Sequence, residues 1–79
     1  MAEILEPLRP IAEIVGANGV KAEYSDTQFF RNGAYQPGWK VTVNANYAGA
    51  HLSFSNRALS LQDAAAITLT QLKTALGMS

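Results

Sequence analysis

The chain has 79 residues and a mass of 8.5 kDa, with six Lys and Arg, six Asp and Glu and one His, so its formal net charge is zero. That length allows one domain, and a hydrophobic content of 48% excludes a disordered chain. Cysteine is absent, which excludes disulfides and thiolate metal sites.

The first segment has apolar residues at Ile4, Leu8, Ile11 and Val15, with Leu5 and Ile14 beside them. Steps of four, three and four describe one helix face. Proline fits a helix only in its first turn, so Pro7 and Pro10 place the start near Pro7, with residues 2–6 as a separate lead-in. Gly16-Ala17-Asn18-Gly19 supplies the stop. Val20, Ala22 and Tyr24 then alternate with Lys21, Glu23 and Ser25, which is a half-buried strand. Residues 26–38 are less regular. Asn32-Gly33 and Pro37-Gly38 are turn signals, so this stretch reads as a long, partly ordered connection, with Gln28 to Arg31 able to extend a strand.

A hairpin follows at 39–56. Trp39, Val41, Val43, Ala45 and Tyr47 alternate with Lys40, Thr42, Asn44 and Asn46, and Leu52 and Phe54 alternate with His51, Ser53 and Ser55. A two-residue Ala48-Gly49 loop sets Tyr47 opposite Ala50, Ala45 opposite Leu52 and Val43 opposite Phe54. Every large apolar residue then lands on one face, and a one-residue slip would mix the faces. The last element is a helix capped by Ser60 and ended by Gly77, with Asp63 completing an approximate capping box. Its inward stripe is Leu61, Ala65, Thr68, Leu69, Leu72 and Leu76, flanked by Ala64 and Ala75; Ile67 points away from it. The expected fold is α+β, a small three-stranded antiparallel sheet with two helices on one face, in the order α-β-β-β-α over residues 1–79.

That order, the total length and a hairpin leading into a C-terminal helix resemble the double-stranded-RNA-binding domain family. The family opens its last helix with a Ser-Lys-Lys-x-Ala run followed by two alanines. Here Ser60-Leu61-Gln62-Asp63-Ala64 precedes Ala65 and Ala66, so Ser60 and Ala64 match the motif. The resemblance implies duplex RNA as a partner. Leu61 and Gln62 stand where the family's phosphate-holding lysines stand, and phosphate contacts supply most of the affinity for a duplex, so this partner ranks below a protein.

No residue pattern points to catalysis or to a cofactor. His51 is the single side chain that titrates near neutrality, and a lone imidazole needs an orienting carboxylate or a nucleophile beside it. Its expected role is a polar pair with Asn46 across the hairpin; a nuclease centred on His51 ranks last. One His, no Cys and no acid pair at ligand spacing give no metal site. Glu3 and Glu6 suit a helix start, and Glu13 a wet face.

The polar hairpin face, Lys40, Thr42, Asn44, Asn46, His51, Ser53 and Ser55, contains no acid and reads either as solvated sheet or as a binding surface. Phe29, Phe30, Tyr35 and Trp39 gather around the irregular stretch. They either close one end of the core or, with Ile67, form an interface, since Trp and Tyr are enriched at binding hot spots.

Charged residues make up only 15%, against roughly 25% in an average domain. A covered surface explains that, and so does one rich in Asn, Ser, Thr and Gln. The reading is a small non-enzymatic domain that binds a protein, including a second copy of itself as a homodimer. Nucleic-acid binding is the alternative. No cofactor and no membrane partner are expected. The acidic first residues and the lack of a long apolar run place it in the cytoplasm. Its small, plain, cysteine-free composition is common among phage and accessory bacterial proteins.

Overall fold

The strands are set by two tight turns of the same kind. Asn32 and Gly33 have φ of 52° and 77°, and Ala48 and Gly49 have φ of 52° and 83°. Two successive positive φ values twist the chain in the sense that antiparallel strands require. A computed structural model describes residues 5–78, and in it these turns join β1 (Val20–Arg31), β2 (Ala34–Tyr47) and β3 (Ala50–Ala58). The result is one antiparallel sheet in the order β1-β2-β3. Tyr47 pairs with Ala50, Ala45 with Leu52 and Val43 with Phe54, as the apolar alternation requires.

Residues 26–38 are not a loose connection. β1 continues to Arg31 and β2 begins at Ala34, so Asn32-Gly33 is a hairpin turn. Pro37-Gly38 is no turn at all; both residues lie inside β2. They stand opposite a break in register, where β1 carries three residues between Ser25 and Phe29 against one in β2. A bulge excuses the missing N–H of Pro37, because the ladder is interrupted there. That interruption also hid the period-two pattern in the sequence.

The N-terminal segment starts later than expected as an α-helix. Glu6–Leu8 form a 3-10 turn holding Pro7, and α1 spans Arg9–Val15 with Pro10 in its first turn. Gly16 caps α1 with φ 89°, and a second 3-10 turn, Ala17–Gly19, leads into β1. Ile4 and Glu3 lie outside the described residues.

The second helix, α2 (Leu61–Ala75), begins as expected. The Asp63 N–H donates to Ser60 Oγ at 3.1 Å. It ends on Gly77 at φ 72°, with Met78 N–H bonded to the Lys73 carbonyl and Gly77 N–H to the Thr74 carbonyl. These two bonds satisfy carbonyls that the last turn would leave free. Ser60→Ala should lower stability by about 1 kcal/mol. A reduced urea midpoint at unchanged slope is the expected readout.

Both helices lie on one side of the sheet. The core joins Leu8, Ile11 and Ala12 of the N-terminal segment to Val20, Val41 and Val43 of the sheet and Ala64, Ala65 and Leu72 of α2. Thr68 is fully buried among them, its hydroxyl donating to the Ala64 carbonyl at 2.7 Å. Asn56, on the inner face opposite Val41, donates from Nδ2 to Thr68 Oγ1 at 3.2 Å and to Gln71 Oε1 at 2.7 Å. Among the described residues no buried side-chain N or O lacks a partner.

Candidate functional site

Strand and helix lengths do not match, and the mismatch creates the most distinctive surface. At about 3.3 Å per residue, the 14 residues of β2 span roughly 46 Å, consistent with a longest dimension of 44 Å. At 1.5 Å per residue, the 15 residues of α2 span only about 22 Å. The helical layer therefore covers one half of the long hairpin. The other half, capped by Asn32-Gly33, projects as a two-stranded arm.

That arm carries aromatic residues on its helix side. Along β2, Tyr35 and Trp39 share the side of Val41 and Val43 by alternation, and their partners on β1 are Phe30 and Tyr24. Trp39 packs partly against the core and meets Tyr24 edge-on, with ring centroids 5.4 Å apart. Phe30 and Tyr35 form a tilted pair at 5.0 Å further out. Tyr24 is 54% exposed, Phe30 63% and Tyr35 64%. Phe30 and Tyr35 therefore do not close the core, and Tyr24 is not half-buried, because no helix reaches over them. The Asp26 carboxylate raises the Tyr24 phenol above its ordinary pKa, by hydrogen bonding to the neutral form and by repelling the phenolate, aided by desolvation.

Phe29 lies on the opposite face, apart from the other four. It pairs with Gln36, and its ring covers Gly38 so closely that a methyl group there would stand 2.5 Å from it. Ile67 is also apart, on α2, and 48% exposed. The five candidates thus divide into an arm patch of Phe30, Tyr35 and Trp39, a packing role for Phe29, and an isolated Ile67. Tyr24 belongs to the arm patch and was missed, because its alternation with Lys21 and Glu23 looks the same whether or not a helix covers it.

The other sheet face is open. Lys40, Thr42, Asn44, Asn46, His51, Ser53 and Ser55 stand there together, joined by residues of β1. Glu23, Lys40 and Arg57 form one row across the strands, and Lys21, Thr42 and Ser55 the next. Arg31 shares this face at the tip of the arm, beside Ala34. So the face is not free of acid. Even so, four of the six basic residues share it with a single acid of the regular ladder, Glu23, which lies 3.4 Å from Lys21. A neutral chain thereby carries a basic sheet face.

His51 Nδ1 lies 3.1 Å from Asn46 Oδ1, its directly opposite partner across the hairpin. Among the described residues no three His, Asp or Glu side chains come together as a metal site. No helix there is long and apolar enough to cross a membrane. No family model, curated protein or solved structure matches this chain.

Proposed function

We propose that the chain is a small non-enzymatic interaction domain that binds protein, itself included, and that the aromatic side of the arm is a contact surface. The carrying observation is the row of Tyr24, Phe30 and Tyr35, all more than half exposed on a projecting hairpin. Large rings held by their neighbours offer apolar area at small entropic cost, which is why such residues dominate binding energy. Asp26, which hydrogen-bonds the Tyr24 phenol, sets a charge beside the patch that helps hold it in water when it is empty. The cytoplasm is the expected compartment.

The test uses the Phe30→Ser/Tyr35→Ser double variant. Both side chains are exposed, so the melting temperature should barely change. A protein captured from host extract by the native chain is identified, purified and titrated against both forms. The expected result is binding at least about tenfold weaker for the variant. Equal affinity of the two forms would remove the arm from the interface.

A second reading is favoured by one observation, the clustering of Lys21, Arg31, Lys40 and Arg57 on the open sheet face. Such a face attracts a polyanion. On this reading the chain is a nucleic-acid-binding domain, in keeping with its resemblance to the double-stranded-RNA-binding family. The start of α2 cannot supply the family's phosphate grip, since Leu61 and Gln62 stand there. Titration with duplex and single-stranded RNA at two salt concentrations separates the readings. Binding that weakens steeply with salt and is lost in Lys40→Gln/Arg57→Gln would favour nucleic acid over protein.

A further inference from the structure

The two edges of the sheet are built differently. β1 is guarded: its register breaks between Ser25 and Phe29, and Lys21, Glu23 and Asp26 stand along it. β3 lacks these guards. Its nine residues run in unbroken register against β2, without proline or glycine, and Arg57 is its one fixed charge. Among the described residues, β3 pairs with β2 alone. An unguarded edge is a template for another strand.

We propose that this edge pairs with the same edge of a second copy, antiparallel, about a two-fold axis at Phe54. A continuous six-stranded sheet results, with all four helices on one side. The proposal rests on reading the chain as an interaction domain and names its partner as the chain itself, at a surface distinct from the arm.

Three features support it. First, residues 50–58 are compatible with a two-fold about Phe54, with two of the four flanking pairs identical. Ala50 faces Ala58 of the second copy, Leu52 faces Asn56, Ser53 faces Ser55, and His51 faces Arg57. Inner residues meet inner residues, and no two fixed charges of one sign meet, as a two-fold contact requires.

Second, α2 packs over both β2 and β3. With strands about 4.8 Å apart, its axis would stand roughly 5 Å from the two-fold. The two copies of α2 would then lie about 10 Å apart, within the usual range for packed helices. Neither helix need move to make that contact.

Third, Ile67 stands on the correct flank. The Asn56–Gln71 hydrogen bond marks the side of α2 that looks toward β3, and Ile67 lies one turn before Gln71 on that side. The opposite flank, at Gln62, Ala66 and Leu69, faces the N-terminal 3-10 turn. Because α2 returns alongside β3 with less than half its rise per residue, the two-fold passes near the C-terminal half of α2. Ile67 of one copy then approaches the last turn of the other, where Met78 is 43% exposed.

The test is sedimentation equilibrium of the full chain from micromolar to near-millimolar concentration, with circular dichroism confirming that each variant folds. The native chain should dimerise reversibly. Ile67→Glu should weaken the dimer at least about tenfold. Ser53→Lys/Ser55→Lys should weaken it also, because the new charges face each other across the axis. Ser53→Lys/Ser55→Glu should restore it, because each lysine then faces a glutamate. A native chain that stays monomeric throughout would sink the proposal, as would a dimer indifferent to all three variants. A dimer abolished by Phe30→Ser/Tyr35→Ser but not by the edge variants would sink it too, while leaving the arm as an interface. A monomer that still binds a protein partner through the arm would do the same.

Discussion

Leu72→Ala should leave the chain largely unfolded at room temperature. Leu72 is fully buried at the meeting of α2 with Val41 and Val43. Truncating a buried leucine removes its transfer free energy and leaves a cavity, together costing about 2–5 kcal/mol. A core in a domain of this size rarely contributes more than about 3–5 kcal/mol, and no disulfide exists to make up the loss. The change should be visible as a collapsed thermal transition by circular dichroism and by Trp39 fluorescence, at fixed protein concentration. Leu59→Ala is the comparison. Leu59 is 60% exposed, and its loss should change stability by less than about 0.5 kcal/mol. Equal melting of the two variants would mean that Leu72 is not where the layers meet.

Gly38→Ala is expected to be the second most damaging small change, at about 1–3 kcal/mol. The reason is local. A Cβ at position 38 would stand 2.5 Å from the Phe29 ring and 3.0 Å from the Ala58 carbonyl oxygen. The ring can swing away, but the carbonyl belongs to the β3 backbone and has little freedom. Gly38→Ala combined with Phe29→Ala should therefore recover part of the loss and not all of it. A double-mutant cycle measured by urea unfolding gives the coupling, which should be clearly non-zero. Additive effects would show that Phe29 does not cover Gly38. The same variant bears on function, since this contact braces the arm at its bulge.

Legibility in the sequence followed the length scale of each interaction. Local pattern sufficed for the β2–β3 register: with Ala48-Gly49 as the turn, Val43 can face only Phe54 if the apolar residues are to share a side. It sufficed also for the Ser60 cap, the Gly77 stop and the outward Ile67, since each depends on positions within one helix. It failed over residues 26–38, where a bulge opposite Pro37-Gly38 broke the alternation and two strands resembled a loop. Asn56 was overlooked, although a signal existed. Two positions beyond Phe54, it occupies an inner-face register, so a polar residue there requires a buried partner, found in Thr68.

The amino-acid order was thus enough to specify an α-β-β-β-α fold with one apolar sheet face, because periodicity and turn chemistry act over a few residues. Three-dimensional assembly settled which aromatics stay in water, for that depends on how far a helix of 15 residues reaches along a strand of 14. It likewise gathered Lys21, Arg31, Lys40 and Arg57 on one face of a neutral chain and left β3 as an open edge. Cross-strand neighbours lie up to 23 residues apart in the chain, as Val20 and Val43 do, and no local pattern encodes that distance.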